Sequence, residues 1–522
     1  MTAPATANEY APHSGVKRFA DYRGDVHEKC DVAVVGSGPG GSVVAQVLAA
    51  AGHDVVLLEE GPPFSPQDFQ PDAALTLRRM VREAGMRAIR GNLFIPTMQP
   101  IGLGGGTLIN SAICVRAPDF VFEHWRETAG TDEITGSALA PHYDHIEEFW
   151  GVEPTPEAVQ GERNLSFKRG CEALGISAEP IRRNVRGCLG SGECFSGCRN
   201  RAKQSSDLSF IRSALDNGAR VLSSVRVERI VTAAGAGQSR AQAITGHVVR
   251  PFSYEPSHRV RVDAKVIVLA AGCIGTPLIL QRSGLANSSG YVGRELQLHP
   301  GLALMAVFDH AVHPWRGATQ GYQSLAFLKE GIKLEVLWAP PAVLATRLPG
   351  LGAEFQRHLA NYERMAPYDV IVAANHSRGR VRPGLMGWEP DIQFRLEQPD
   401  VDLLIRGLAI LSDIAWAAGA TEVLPGLHGI PERLRSKSEA ELLRTHRFKA
   451  TDTITASNHL FGTTRMSRRP QDGVVDQDGR CHDLDNVYIA DSGIFVGSPA
   501  VNPMLTIMAL ANRIAQGIAK RV

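Results

Sequence analysis

Residues 31–60 read DVAVVGSGPGGSVVAQVLAAAGHDVVLLEE. The run from Asp31 to Gly36 is short, apolar and rich in Val, the composition of a strand buried on both faces of a parallel sheet. SVVAQVLAAAG, from Ser42 to Gly52, continues as a helix, and DVVLLEE, from Asp54 to Glu60, as a second strand. Strand, glycine turn, helix and strand in that order form a right-handed parallel crossover. Gly36, Gly38 and Gly41 satisfy G-x-G-x-x-G: the first permits a tight turn, the second lets a pyrophosphate approach the backbone, and the third lets helix pack on strand. The first helical N–H groups then face the phosphates with the favourable dipole direction. Glu59 closes the second strand eighteen residues after Gly41, placed to accept hydrogen bonds from a ribose, with Glu60 beside it as the alternative acid. Glycines alone would also suit an ordinary α/β turn. Strand, helix and terminal acid together mark a dinucleotide site, without choosing between a flavin and a nicotinamide.

Outward from this unit, KVIVLAAG (265–272) and NVYIADSGIF (486–495) read as further buried strands, and TIMALANRIAQGIAKRV (506–522) as an amphipathic helix. Elements of one parallel sheet thus recur at the start, middle and end of the chain. The expected fold class is α/β: a Rossmann-like parallel-sheet domain that is discontinuous, formed by 1–145, 211–304 and 451–522. The stretches 146–210 and 305–450 are expected to build an α+β substrate-binding region. Within it, GLALMAVFD (301–309), GIKLEVLWAP (331–340) and DVIVAANHS (369–377) predict a mixed or antiparallel sheet, covered by a helix over Val401–Ala418. Residues 1 to about 29 read as a surface-hugging lead-in.

Composition removes several function classes. Lys and Arg number 55 against 54 Asp and Glu, so no charge excess steers the chain to nucleic acid or an anionic membrane. No apolar run reaches the roughly 18–20 residues that span a bilayer, and MTAPATANEYAPHSG has no basic start followed by an apolar stretch. The expectations are no transmembrane segment and a cytoplasmic location. The eight cysteines, at 30, 114, 171, 188, 194, 198, 273 and 481, are too sparse for a disulfide framework in so long a chain.

A second glycine-rich stretch, IGLGGGTLIN (101–110), runs into SAICVR up to Arg116. Its glycines and apolar flanks suit close approach of the main chain to a ligand. With VLAAGCIGTPLILQRSG (268–284), HLFGTTRM from His459, GVVD from Gly473, the strand ending at Asp491, and NPMLT from Asn502, the chain resembles the glucose-methanol-choline (GMC) oxidoreductases. These landmarks follow the family order over nearly the whole length, and the middle of the chain matches poorly. The resemblance implies bound FAD and oxidation of alcohols. It places Gly104, Gly105, Thr107 and Asn110 along the flavin, the backbone of Val225 at the adenine, and Asp491 near the ribityl or pyrophosphate portion. Some relatives attach FAD through a histidine near this loop. Here Leu108 follows Thr107 and no histidine is present, which implies noncovalent FAD.

The resemblance makes His459 the catalytic histidine and Asn502 its partner. Hydride loss from CH–OH requires the hydroxyl proton to leave to a base within hydrogen-bond reach, and a histidine serves near neutral pH. His459 is expected to accept the proton, Asn502 to hydrogen-bond the substrate oxygen, and flavin N5 to receive the hydride. Asn502 also reads as a helix cap before Pro503. His299 and His376 read as structural. The electron acceptor is oxygen or a separate acceptor; an oxidase of alcohols, sugars or sterols and a flavin-retaining lyase relative are the alternatives. Phe394, Trp388 and Trp416 read as core or as walls of an apolar pocket for an uncharged substrate.

Cys188, Cys194 and Cys198 form a C-x5-C-x3-C spacing. It resembles the iron–sulfur segment of some dehydrogenase members of the family, which would add a redox protein partner. The other readings are a tight loop with reduced thiols, a disulfide, or zinc. No metal ligand set is assigned from the sequence.

Overall fold

A computed structural model describes residues 14–232, 240–338, 341–385 and 389–522; Trp388 and the first part of the lead-in lie outside these. The strand predicted at Asp31 begins earlier, at Val26, and runs to Val35. It lies inside an eight-stranded sheet. On one side the parallel strands Val55–Glu59, Arg220–Ser223 and Val16–Lys17 follow in turn, the last being the lead-in hugging the sheet edge. On the other side lies Pro256–Leu269, parallel, with Val34 level with both Leu57 and Val268.

Pro256–Leu269 is long enough to serve two neighbours. Its first half pairs antiparallel with Ala241–Val249, which pairs in turn with Val225–Thr232. Its last residues, Ile267–Leu269, pair with Val487–Ile489. The predicted 486–495 strand stops at Ile489 because Asp491 caps a short turn, Ser492–Ile494, by accepting from Gly493 N at 2.8 Å. Helices Pro39–Ala50 and Met504–Ala519 pack together over the parallel strands. The first of them sits so close to the end of Val487–Ile489 that a Cβ on Gly40 would lie 1.7 Å from the carbonyl oxygen of Ala490.

The second sheet has six strands, antiparallel throughout, in the order Glu422–Leu424, Gly301–Val307, Met365–Val372, Ile332–Val336, Tyr322–Ser324, Glu179–Pro180. Alternation sends Leu302, Leu304, Tyr368, Val370, Ile332 and Leu334 to one face. That face packs beneath helices Gln398–Ala417 and Glu162–Ala173. Phe394 is buried in the same core and Trp416 packs against it, half-buried. Among the described residues no helix is long and apolar enough to cross a membrane.

Candidate active site

The dinucleotide turn sits where Val26–Val35 meets Pro39–Ala50. Gly36 has φ +98°, and a Cβ there would lie 2.3 Å from the carbonyl oxygen of Ala270. A Cβ on Gly41 would reach within 1.9 Å of the Gly36 carbonyl oxygen, while one on Gly38 would meet open space. The three glycines therefore do three different things: turn, packing, and exposure of backbone to a ligand. The helix that follows opens with N–H groups lacking intrahelical acceptors. Glu59 is buried and accepts from Ser37 N (3.1 Å), Ser37 Oγ (2.6 Å) and Gly61 N (2.8 Å). A carboxylate has about four lone-pair sites, so one acceptor position remains. Burial raises its proton affinity, and these hydrogen bonds oppose the rise. Glu60 is instead paired with Arg82 at 2.7 Å. Val225 starts its strand at the same corner, where Ser224 N donates to Gly61 O at 3.2 Å.

The 101–110 stretch folds back on this turn. Gly104 N donates to Ser37 Oγ at 2.9 Å, and a Cβ on Gly105 would lie 2.7 Å from Gly38 Cα. The Thr107 hydroxyl is committed inside the protein, donating to Gly104 O (2.7 Å) and accepting from Ser206 N (2.9 Å). Asn110 Nδ2 meets Met504 Sδ at 2.8 Å, two residues beyond Asn502. Asp491, expected nearby, accepts from Thr276 Oγ1 (2.5 Å), Gly272 N (2.9 Å) and Gly493 N (2.8 Å), and burial raises its pKa to about 6. Arg116 points away and pairs with Glu147 and Asp144.

His459 is half-buried beside a residue the sequence left as structural. The pairing of Leu298 with Leu460 brings His299 against it, Nδ1 to Nδ1 at 3.3 Å. His299 Nε2 lies 2.6 Å from Ser498 Oγ. The line Ser498–His299–His459 has two proton arrangements. If His299 donates to Ser498, it accepts from His459 Nδ1, and His459 Nε2 is a bare base. If Ser498 donates, the direction reverses and His459 Nε2 carries a proton. Burial depresses the proton affinity of both rings, His459 to about 4 and His299 well below its usual value. For His459 the nearby Glu335 opposes that effect and Lys333 adds to it.

Ser498 also accepts from Ala500 N at 3.0 Å, and Ala500 has φ +60°. A left-handed alanine costs roughly 1–2 kcal/mol. That turn delivers Asn502, which is 6 % exposed and whose Oδ1 has no hydrogen-bond partner. The helix beginning at Met504 has no side-chain cap, so Asn502 does not cap it. His376 is remote, mostly exposed, and held by Asp400 at 3.1 Å.

Cys188, Cys194 and Cys198 line one small cavity with Arg183 and Lys203. Arg183 donates to Cys194 Sγ at 3.1 Å and to Ser111 O at 2.9 Å. Buried Lys203 donates to the carbonyls of Leu108, Asn110 and Cys194 at 2.7, 3.0 and 2.9 Å. Burial lowers the Lys203 pKa to about 8. Burial alone would raise the Cys194 thiol, but Arg183 and Lys203 outweigh it and the net direction is down. Among the described residues no group of three or more His, Cys, Asp or Glu side chains is arranged to hold a metal ion.

Residues 77–301 and 375–511 match the GMC oxidoreductase family, and residues 31–93 match the pyridine nucleotide-disulphide oxidoreductases. The chain is 33% identical over 497 residues to the uncharacterized GMC-type oxidoreductase Rv0492c of Mycobacterium tuberculosis (strain ATCC 25618 / H37Rv), covering 95% of this chain and 76% of that protein. It is 27% identical over 546 residues to the long-chain-alcohol oxidase FAO3 of Arabidopsis thaliana, covering 99% of this chain and 71% of that one. The crystal structure of pyridoxine 4-oxidase from Mesorbium loti superposes with a TM-score of 0.70 at 19% identity, over 94% of this chain and 99% of that one, and so shares the fold. The protein is an FAD-dependent oxidoreductase acting on alcohols. It belongs to the GMC oxidoreductase family.

The residues present fit FAD. The Gly36–Gly41 turn leaves backbone open at Gly38, Glu59 keeps an acceptor position, and Asn502 Oδ1 is a buried polar atom without a partner.

Proposed function

We propose that this chain holds FAD noncovalently and oxidises a CH–OH group to the aldehyde or ketone, with His459 as proton acceptor and Asn502 on the substrate oxygen. Gly36, Gly38, Gly41 and Glu59 would hold the pyrophosphate and ribose, Val225 the adenine, Asp491 the ribityl or pyrophosphate portion, and Gly104, Gly105, Thr107 and Asn110 the ring. FAD, when bound, supplies the hydride acceptor at N5. The domain reading follows the same division: 1–145, 211–304 and 451–522 for the cofactor, 146–210 and 305–450 for the substrate.

The observation that supports the proposal is the Ser498–His299–His459 line, with Asn502 four residues after Ser498 and its buried Oδ1 without a partner among the described residues. With His299 donating to Ser498, His459 Nε2 is a bare base, and its depressed proton affinity keeps it so at neutral pH. Asn502 carries both an acceptor and a donor, so it can hold the hydroxyl before reaction and the carbonyl oxygen after it. His299 is a positioning residue: it sets which tautomer His459 presents. The cysteine loop is read as a thiol loop without a metal centre, supported by two cations crowding Cys194 where a third positive charge would be disfavoured.

The test is anaerobic mixing of the purified holoenzyme with a panel of alcohols while the flavin absorbance is followed. Bleaching supports the reading, and no bleaching by any alcohol overturns it. Reoxidation on admitting air separates oxidase from dehydrogenase. Iron in the protein, with absorption beneath the flavin bands, would overturn the thiol-loop reading and imply a redox partner. FAD that stays with the denatured chain would overturn noncovalent binding.

A further inference from the structure

The six-stranded sheet has two unlike faces. Opposite its apolar core face, the register lines up Gln323 with Glu335, Glu335 with Asp369, and Asp369 with Ala303. Lys333, two residues before Glu335, shares this face. These side chains are deeply buried: Lys333 0 %, Gln323 1 %, Glu335 3 % and Asp369 9 % exposed. Most of the face is satisfied. Lys333 pairs with Glu335, Gln320 Nε2 donates to Glu335 Oε1 at 2.8 Å, and Gln323 Nε2 donates to Glu179 Oε1 at 2.9 Å.

Two groups are not satisfied. The Asp369 carboxyl has no hydrogen bond or ion pair among the described residues, only longer-range fields from Glu335, Arg347 and Lys333. Gln323 Oε1 is fully buried without a partner. The face borders the active site, because the register carries Lys333 across Ile371 to Gly301, two residues after His299, whose N–H donates to His459 O at 3.2 Å. At its other end Gln323 lines a cavity of about 330 Å³ with Glu179, Arg116, Glu147 and Arg182. A polar wall therefore runs from that cavity toward the catalytic histidine. Among the described residues nothing hydrogen-bonds the Asp369 carboxyl, which leaves it to water or to a ligand hydroxyl.

We infer that this wall is the substrate-recognition surface, and that the substrate is a small diol or polyol whose second hydroxyl hydrogen-bonds Asp369. The inference rests on the alcohol-oxidising reading above and names its substrate class. An unsubstituted alkyl chain laid on this face would leave the Asp369 carboxyl and Gln323 Oε1 without partners. Burial, and then the neighbouring Glu335, raise the proton affinity of the Asp369 carboxyl well above the usual carboxylate range. A carboxyl accepts from a hydroxyl in either form and, with its proton, also donates to one. Lys333 and Glu335 neutralise each other, so the wall presents no uncompensated charge that would hold a carboxylate or an ammonium substrate.

The experiment uses the holoenzyme under anaerobic conditions and alcohols that bind without reacting. Pinacol and 2,5-dimethyl-2,5-hexanediol have no carbinol hydrogen, and each is paired with its mono-alcohol, 2,3-dimethyl-2-butanol or 2,5-dimethyl-2-hexanol. Dissociation constants come from the perturbation of the flavin spectrum. At least one diol should bind about tenfold or more tightly than its mono-alcohol, as one well-placed hydrogen bond provides. Asp369→Leu should bring that ratio close to one, while Asp369→Asn, which keeps a donor and an acceptor, should retain most of it. If the Leu variant does not fold, the parent ratio and the Asn variant decide. Flavin reduction by straight-chain diols of two to six carbons should likewise outpace the matching n-alkanols. Alkanols equal to or better than diols, or 3-amino-1-propanol better than 1,3-propanediol, would overturn the substrate class while leaving alcohol oxidation intact. Reduction by no alcohol at all would overturn both.

Discussion

His459 stands where its ring is held neutral, and the consequence is measurable. Its pKa is lowered to about 4 chiefly by burial, so the base is available across the neutral range and is lost only as pH falls toward that value. The acid limb of kcat/KM for flavin reduction should therefore lie well below 6.5, the usual histidine value. A limb at 6.5 or above that disappears in His459→Ala would mean a solvated, ordinary imidazole. His459→Ala itself should slow anaerobic reduction by about 10²–10⁴-fold while FAD stays bound, the range for removing a positioned base. Asn502→Ala should cost roughly 10²–10³-fold, as when a donor to a developing oxyanion is removed. An unchanged rate would leave Asn502 without a role in the reaction, since it caps no helix. His459 and Asn502 could be proposed from the sequence because each sits in a local motif, HLFGTTRM and NPMLT. His299 was not, because LQLHP has no chemistry of its own. Its role exists only after Leu298 pairs with Leu460, which brings together histidines 160 residues apart.

Among the elements, the loop 101–110 runs from the 36–41 glycine turn to Met504, and its close approach to that turn makes Gly105 a steric requirement. Gly105→Ala would set a Cβ 2.7 Å from Gly38 Cα at a position with φ +53°, so either the loop or the dinucleotide turn must move. The variant should be purified with substoichiometric FAD and a lowered Tm. Gly24→Ala, where a Cβ meets nothing within 4 Å, should match the parent in both, and equal FAD content in the two variants would show that the loop can give way. Long buried strands were legible from Val and Ile runs, since a parallel strand needs no partner pattern beyond continuous burial. The two- and three-residue strands Glu179–Pro180 and Tyr322–Ser324 were not, being too short to show alternation. The polar face they extend was hidden for the same reason: GIKLEVLWAP shows alternation, but only the antiparallel register shows Glu335 opposite Asp369.

For the whole molecule, burying ionisable groups between two sheets ties folding to pH with opposing signs. His459 has a folded pKa of about 4 against about 6.5 unfolded, so between these values the unfolded chain binds more protons and stability falls as pH is lowered. His299, also depressed, acts in the same direction. Asp491, raised to about 6, and Asp369, also raised by burial and Glu335, act the other way: the folded state binds their protons more tightly, and stability falls as pH rises through the window above their unfolded values. The net slope mixes these contributions, and a substitution isolates one. His459→Asn removes a titrating ring of similar polarity, so the Tm of the holoenzyme should drop less than the parent's between pH 6.5 and 4.5. The two curves should converge toward the acid end, with a difference in slope of at most about 1.4 kcal/mol per pH unit. Parallel curves would mean that His459 takes up its proton at the same pH folded and unfolded, which would overturn the depressed proton affinity of the folded ring while leaving an ordinary imidazole able to act as base near neutral pH.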